Sequence, residues 1–583
     1  MSGLDKFLNP AFCANNSNSP CPNKTSKANS ACGGCYLVVY CSKECQKEHW
    51  PTHKEDCKHI LADDTWKPDW YTEERDPSFY KKKDPSEPDV NDGKISWWGS
   101  MPALDLLKLD GNEGKDAPPK IRLLLTSSHD IRDMVETIAR LPDTYSGQCE
   151  IAMNGIHPQI FAQNIILLLV AFHFPPEEAV PIMIHLWYSA LIPASVLAGL
   201  RTKLLPLIEE VCSEVARKRS RKLLKWVWKK NKAILHLELV REEWERLRDC
   251  LQVPSRLSAT RAARNREKVM LAPRREDLFH RFLYAQPRHW RVSTMKFRRD
   301  GILLPFGCSR KEFDTPNPLV HPTPYCTRRA TNNIRTIFHA SHSWPMPDSA
   351  DPRTSWNLPE IFTGAYTANY PAKNDLYGVL FIYIRETLLS FCRQLAKRDI
   401  RIRVLGVDSL NLPAYFKESG GQGFDRIETY VAAERDILGV DTILTLFSPL
   451  LKPKIENPKA MLLVLFIRDI EDMWSRDSLE KDVLRAAKYL PQPESTDDND
   501  PDYMRLKRSS SFFRNVSKLF DLYKKSTGFD TLTSKHGLKM RGNNTIVAHW
   551  PMRPGKHAPQ AVFDMLEASG ATGCERYVEW EWA

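Results

Sequence analysis

"KIRLLLTSSHDIRDMVETIARL", Lys120 to Leu141, is the stretch that decides the fold. Ile121 to Leu125 is a short apolar run of strand type, and Thr126 to Asp130 is a polar turn. Ile131, Met134, Val135 and Ile138 then recur at helical spacing, with Asp130 placed to cap the helix. "QCEIAMNG" follows as a second strand and "HPQIFAQNIILLLVAF" as a second helix. Strand, helix, strand, helix predicts a parallel sheet with crossover helices. Nucleotide-type cofactors bind such sheets where the first strand meets its helix, on a glycine-rich turn. Here the turn is Thr126-Ser127-Ser128-His129-Asp130 and holds no glycine. Asn154 ends the second strand where a ribose-binding acid would sit, and Glu150 comes earlier. A non-binding scaffold is therefore favoured over a dinucleotide or S-adenosylmethionine site.

The chain around this stretch has 583 residues, enough for three or four structural units. It is 42% hydrophobic and 27% charged, as soluble globular proteins are. The formal charge of +11 is a mild excess on so long a chain and weak support for an acidic partner. The most apolar run, Asn164 to Phe174, is about half the length a membrane span needs. The start, "MSGLDKFLNPAFC", has no signal-peptide pattern, so the expected location is intracellular, cytoplasm or nucleus, with no membrane. There thiols stay reduced, and clustered cysteines read as metal ligands.

Seven of the 14 cysteines lie between positions 13 and 57: Cys13, Cys21, Cys32, Cys35, Cys41, Cys45 and Cys57. The others (Cys149, Cys212, Cys250, Cys308, Cys326, Cys392 and Cys574) are scattered singly and read as small buried hydrophobes. Zinc takes four N or S ligands in a tetrahedron. Cys32/Cys35 is a C-x2-C pair on a Gly-Gly knuckle, Cys41/Cys45 a C-x3-C pair, and His53/Cys57 an i, i+4 pair on a short helix. With Cys13 and Cys21 there are eight ligands, enough for two Zn2+. So short a segment has little core, so metal binding must stabilise its fold. Eight closed ligands argue against catalytic zinc, which needs an open position.

The run "YCSKECQKEHWPTHKEDC" resembles the MYND-type zinc finger, through Cys41, Cys45, Trp50, His53 and Cys57. The resemblance implies interleaved ligation: Cys13, Cys21, Cys41 and Cys45 on one zinc, Cys32, Cys35, His53 and Cys57 on the other. The chain departs from the family at the start, where the usual C-x2-C is Cys13-x7-Cys21. His49 and His59 fall outside the pattern. The resemblance also implies protein binding, often to proline-rich peptides. Trp50 and Tyr40 are candidates for an aromatic docking surface, although a Trp50 packed across the small finger core is favoured.

From Lys67 to Gly93 the chain is charged, Pro-rich and without apolar period, as linkers are. Lys203 to Leu251 reads as helical, and within it Arg217 to Lys232 carries nine basic residues and no acid. A solvated helix face is favoured there over a nuclear localisation signal ("RKRSRK"), a membrane face or a nucleic-acid patch shared with Arg256 to Lys268. Nucleic acid is thus a disfavoured partner. His289 to Gly307 alternates as a strand and turn would, and a Pro-rich surface loop is expected over Asp314 to Tyr325.

Asp375 to Ile400 reads as an amphipathic helix. "RIRVLGVDSLNLPAYF" reads as strand, turn and helix with Asp408 at the strand end, and further strands are expected near Phe424 and over Pro458 to Ile467. Asp408 and Asp425 are weak catalytic candidates, since acids at strand ends more often cap loops. A disordered loop is expected near 490–511, with Ser509, Ser510 and Ser511 after "RLKR" as a basophilic phosphorylation site. No Ser/His/Asp elbow, P-loop or HExxH is present.

"WWGSMPALDLL", "LLLTSSHDIRDMVETI", "EIAMNGIHPQIFAQNIILLLVAF" and "IHLWYSALIP" resemble a domain of unknown function found in fungal MYND-finger proteins. A related segment opens a dynein axonemal assembly factor family. That resemblance covers about residues 95–205 and implies a methyltransferase-type Rossmann fold without a clear cofactor motif. The expected fold class is α/β: a small zinc-stabilised N-terminal finger plus a Rossmann-like domain with a large helical insertion. The expected organisation is a finger over 10–60, a linker over 61–94, and the first part of the Rossmann-like domain over 95–202. A helical and irregular insertion over 203–374 and the second part over 375–583 complete it. The expected function is a zinc-binding protein–protein interaction adaptor with a non-catalytic body. The alternative is an S-adenosylmethionine-dependent methyltransferase with a degenerate cofactor loop. No catalytic residue is assigned, and whether the chain is an enzyme stays open, with a non-enzyme favoured.

Overall fold

The computed structural model describes residues 3–17, 21, 29–81, 91, 94–155, 157–217, 223–321, 344–421, 423–474, 479–552 and 557–583. The "RKRSRK" run after Arg217, the end of the Pro-rich loop and Cys326 lie outside them. The chain divides into two compact units, each built from separate segments: 1–100, 162–223 and 240–389 in one, and 101–161, 224–239 and 390–583 in the other.

The second unit is organised by a nine-stranded sheet. In chain order its strands are β1 (Lys120–Leu125), β2 (Gln148–Asn154), β3 (Leu224–Lys230), β4 (Ala233–Leu239), β5 (Ile400–Leu405), β6 (Arg426–Glu428), β7 (Met461–Phe466), β8 (Leu538–Met540) and β9 (Arg576–Trp582). Their order across the sheet is β8-β9-β7-β6-β1-β2-β5-β4-β3. The run from β7 to β4 is parallel, and β9 lies antiparallel between β7 and β8. β1 and β7 read as largely apolar runs because helices cover such sheets on both faces, whereas β5, Ile400–Leu405, alternates buried and half-buried residues. Every residue of β7, "MLLVLF", is buried. Leu124, Ile427, Leu462, Val464, Phe466 and Trp580 belong to one core cluster with Phe520, Tyr523 and Phe529.

Three segments correct the sequence reading. Leu224 to Leu239 is the antiparallel hairpin β3–β4, not helix, with Leu224 facing Leu239. Leu224, Val227, Trp228 and Leu235 fit a helical stripe, but the observed burial follows a period of two, with Leu224 and Trp228 buried and Val227 exposed. In β4, Ala233, Leu235, Leu237 and Leu239 are buried. Asn231, at φ 54° in the left-handed region, makes the turn, and Asn tolerates that region better than most residues.

His289 to Gly307 contains the helix Arg288–Asp300 rather than a strand. Its alternation misled because the helix carries several arginines, and two of them, Arg291 and Arg298, are buried with their guanidinium groups donating to backbone carbonyls. Gly301, at φ 65°, ends the helix in the left-handed cap where glycine has no steric cost.

The expected disordered loop holds the helix Pro501–Ser509. Asp500 caps it by accepting from Asp502 and Tyr503 N–H, each at 2.9 Å, and Pro501 opens it. Acid first and base last, which looked like a disordered charge pattern, is what a helix dipole favours. Ser509 and Ser510 are buried, with Ser509 Oγ donating to Glu567 at 2.8 Å. Of the three expected serines, Ser509 and Ser510 are thus not exposed, and Ser511 is half-buried.

The first unit is mostly helical. Its N-terminal residues Leu4, Phe7 and Leu8 are buried, and the Phe7 ring meets His185 and Phe313 edge-on. Burial among those rings pushes His185 down to about 3, so it is neutral. Residues 61–81, read from sequence as the start of a linker, carry Trp66 and Trp70 into this unit's core. The Arg75 guanidinium and the Ser78 N–H both bind Asp277 there. No helix of the described residues is long and apolar enough to cross a membrane.

Candidate metal centre and the strand-end loops

Two short strands, Ser30–Ala31 and Val39–Tyr40, pair antiparallel and hold the knuckle between them. Cys32 N–H donates to Val38 O and Tyr36 N–H to Cys32 O, which curls the chain so that Cys32 and Cys35 point the same way. A Cβ on Gly34 would lie 3.2 Å from Cys57 Sγ, a tight contact beside a donor atom. Cys13 bridges alongside Val39, and Cys21 N–H donates to Asn16 Oδ1 at 2.8 Å. The helix Lys43–Cys57 starts at Ser42, whose Oγ accepts from Cys45 N–H. It carries Cys45, His53 and Cys57.

The eight expected residues gather into two groups. Cys13, Cys21, Cys41 and Cys45 form one, and Cys32, Cys35, His53 and Cys57 the other, with all donor atoms of each group within 4.8 Å of one another. In chain order the groups alternate, pair by pair. Cys21 Sγ lies 3.3 Å from Cys41 Sγ and 3.7 Å from Cys45 Sγ, and Cys41 is 3.5 Å from Cys45. Cys32 and Cys57 Sγ are 3.9 Å apart, and His53 Nε2 is 3.4 Å from Cys35 Sγ. A zinc tetrahedron with Zn–S bonds of about 2.3 Å has edges of about 3.8 Å. The spacings fit that figure, so the two groups fit the two zinc sites of a MYND finger.

The protonation chemistry agrees. Burial, with a smaller contribution from His49, lowers His53 to about 4, which keeps the imidazole in the neutral, metal-binding form. Burial raises Cys13, Cys35 and Cys57, so without a cation these thiols keep their protons. A dication reverses that preference and releases the protons on binding.

His49 and His59 are engaged elsewhere. His49 Nδ1 is 3.0 Å from the Tyr40 hydroxyl, and His59 Nδ1 accepts from Leu61 N–H. Tyr40 is therefore a buried core residue and no part of an exposed aromatic surface. Trp50 is 39% exposed while its ring meets His53 edge-on, and Tyr36, at φ 54°, is 47% exposed.

The finger is packed into its unit. Asn374 Nδ2 donates to Cys35 O at 2.8 Å, and Asn374 N–H to Tyr36 O at 3.0 Å. Cys308 Sγ donates to Ala11 O. A Cβ on Gly307 would come within 2.8 Å of Ala14 Cβ, so that approach too depends on glycine.

In the second unit, the loops after β1, β2, β5 and β6 meet at the carboxyl ends of the strands. Asn154 Nδ2 donates to Thr126 O at 3.0 Å, and its Oδ1 accepts from Val407 N–H at 3.0 Å. Ser128 N–H reaches Asn154 O, and Ser409 Oγ reaches Thr126 O. One buried amide thus ties three loops together at the strand end where a ribose-binding acid would sit in a cofactor site. Asp130 does not cap the helix Arg132–Ala139, whose N-cap residue is Ile131, but from one residue before it accepts from Arg132 N–H, and Asp408 caps a short turn through Leu410 N–H.

Asp425 lies elsewhere, at the start of β6 and so at the opposite end of the strand. It is fully buried and binds Lys452, Asn457 and the Arg122 N–H. That set is a structural ion network. Glu150 at the same end pairs with Arg122 and Lys120.

Sequence reasoning missed two acids at the strand ends. Burial, and then the neighbouring Asp133, pushes Glu428 up to about 8, and burial raises Asp133 to about 6. Glu428 accepts from Tyr430 N–H at 2.5 Å and Asp133 from Leu104 N–H at 2.9 Å. Tyr430 sits at φ 49°, in the left-handed region. The one available signal was an acid closing the short strand "RIE".

The MYND finger family matches residues 13–57. A domain of unknown function, DUF4470, matches residues 97–192. The chain therefore contains a zinc-binding finger of the protein-interaction kind and a DUF4470 domain. Among curated proteins, the N-lysine methyltransferase SMYD2 of Mus musculus is 45% identical over 40 residues, 7% of this chain and 9% of that relative. No solved structure matches.

Proposed function

We propose that the chain is a zinc-dependent adaptor, with the finger binding a protein partner and the body acting without catalysis. In this reading Cys13, Cys21, Cys41 and Cys45 hold one zinc, and Cys32, Cys35, His53 and Cys57 the other. The observation that carries it is the alternation of two four-donor groups at tetrahedral spacing, with every donor used and no coordination position left for substrate. Partially exposed Tyr36 and Trp50 on the finger support recognition of a proline-rich peptide, since such segments dock on aromatic surfaces. The test is binding of a fluorescent proline-rich peptide with and without Tyr36→Ala and Trp50→Ala. Equal affinity in all forms refutes the peptide surface.

An intracellular setting, cytoplasm or nucleus, goes with this reading, because seven reduced thiols persist where glutathione is abundant. Localisation of a tagged chain in the secretory pathway would overturn it.

A second reading, an S-adenosylmethionine-dependent methyltransferase, is favoured by one observation. Without the hairpin, the parallel strands run β5-β2-β1-β6-β7, third-second-first-fourth-fifth in chain order, as in doubly wound Rossmann-like sheets. Such sheets bind ligands where the order reverses, here between β1 and β6. Against catalysis stand the turn without glycine and the Asn154 amide, whose hydrogen bonds are both spent on neighbouring loops. The relative named an N-lysine methyltransferase shares only 40 residues, too few to bring a catalytic domain. Calorimetric binding of S-adenosylmethionine that Ser127→Ala/Asp130→Asn abolishes would make this the correct reading.

A further inference from the structure

A third group of metal-binding side chains lies apart from the finger's two, in the helical unit. The helix Glu276–Tyr284 places Glu276 and His280 one turn apart on one face. The short helix Asp69–Thr72 brings Asp69 to the same spot. A carboxylate oxygen from each acid and one imidazole nitrogen lie within 4.8 Å of one another.

His280 separates this group from an ordinary surface acidic cluster. It is only 7% exposed, and the Trp66 ring stands perpendicular to the imidazole at 5.6 Å. Its Nδ1 is buried and, among the described residues, has no hydrogen-bond partner. Asp69 Oδ2 is the acid oxygen it faces, at 3.7 Å, beyond hydrogen-bond reach. A buried ring nitrogen without a partner is costly. A cation bound by Nδ1 and the two carboxylates removes that cost and the repulsion between the acids. The adjacent Asp277 is not available, since Arg75 and Ser78 take both its oxygens.

We propose that Asp69, Glu276 and His280 form a third metal site, for a divalent transition-metal cation of the zinc class. One imidazole with two carboxylates suits zinc or manganese better than calcium or magnesium, which take oxygen ligands alone. Bonds of about 2.1 Å require donor spacings near 3.4 Å. The fixed imidazole sets the position, and the two exposed carboxylates rotate inward to close the distance. With three protein ligands and a solvent-facing side, the site keeps open coordination positions, unlike the closed groups of the finger. Bound metal would pin residues 69–72 to the helix carrying His280.

The test uses the full-length chain and zinc or cobalt alone. Zinc is counted by mass spectrometry of the metal after equilibration at matched micromolar free zinc, in wild type, Glu276→Gln and Asp69→Asn. Both substitutions are at exposed side chains and leave the cores untouched. The proposal expects one equivalent fewer zinc in each variant than in wild type, with the finger's share unchanged. Cobalt loading expects the final equivalent to add weak visible bands without the intense thiolate charge transfer of the cysteine sites. Equal zinc content in wild type and both variants would overturn the proposal. So would a final equivalent with thiolate charge transfer. His280→Asn losing the same equivalent, at an unchanged unfolding temperature in chelator, would place the imidazole among the ligands. Retention of that equivalent would remove His280 from the site.

Discussion

The finger and the nine-stranded sheet are held together by opposite means. In residues 13–57 the organising centres are two sets of polar donors, and the apolar core is little more than Leu37, Val38, Val39 and Tyr40. The donors are buried thiols and a neutral imidazole, groups that resist burial unless a cation binds them. In the sheet the organising centre is apolar surface: β1, β2 and β7 bury leucine, isoleucine, valine, methionine and phenylalanine side chains. Polar groups there, such as Asn154 and Asp425, are satisfied by the protein's own hydrogen bonds. The two regions are therefore vulnerable to different things. One depends on metal and proton activity, the other on shape.

Metal removal gives the largest contrast. Structural zinc contributes on the order of 10 kcal/mol per site in finger peptides. A strong chelator, or Cys32→Ser with Cys45→Ser, is expected to unfold residues 13–57. Because Asn374 binds Cys35 O and Tyr36 O, the loss should also lower the melting temperature of the helical unit. Hydrogen exchange would show it: protection lost in the finger and around 374, retained in β1, β2 and β7. Loss of protection throughout the sheet would break the comparison.

The converse experiment removes shape. Phe466 is fully buried against Phe520, Tyr523, Phe529 and Trp580. Phe466→Ala is expected to cost about 3–5 kcal/mol in chemical denaturation, with zinc content unchanged. Zinc loss in that variant would mean that the two regions are not independently organised.

Proton activity distinguishes the regions next. Glu428 is raised from its ordinary 4.5 to about 8 by burial. Between those values the folded carboxyl holds a proton that the unfolded one has lost. Its contribution to stability therefore falls as pH rises through that window and is constant below it. Glu428→Gln mimics the protonated acid and should remove a loss of a few kcal/mol by pH 9. A wild-type stability curve that is flat from pH 5 to 9 would contradict the assignment.

The smallest effect sits where the finger meets its own unit. Asn374→Ala removes the bond to Cys35 O and should cost about 1 kcal/mol, seen as a modest rise in the zinc dissociation constant. A variant with unchanged affinity would make that contact incidental.

The regions also differ in how legible they are. Sequence-close pairs such as Cys32/Cys35 and Cys41/Cys45 carry ligand geometry in their spacing alone, so the order of the residues is enough to draw both donor groups. The parallel strands are legible too, since "LLL" and "MLLVLF" have no amphipathic alternative of equal length. Reading fails wherever two periods fit one segment. Leu224, Val227, Trp228 and Leu235 fit a helix, whereas Leu224, Trp226 and Trp228 with Ala233, Leu235, Leu237 and Leu239 alternate as a hairpin does, and partners in β5 decide between the two. Arg288 to Asp300 hides a helix behind arginines whose charges find carbonyls only in the folded chain. Asn154 and Asp425 both look like site residues at strand ends. Local pattern cannot show that one ties three loops and that the other starts its strand. Gly301, by contrast, is an available stop signal that the alternation obscures.

The central claim is that seven cysteines and one histidine share two zinc ions in alternating groups, Cys13 and Cys21 included despite their wide spacing. Zinc X-ray absorption on the chain loaded with two equivalents tests it most directly. Seven Sγ and one imidazole nitrogen over two ions give an average shell of about 3.5 sulfurs per zinc at about 2.3 Å. An average near 2.5 sulfurs, with oxygen or nitrogen making up the shell, would contradict it by leaving Cys13 and Cys21 outside the first site.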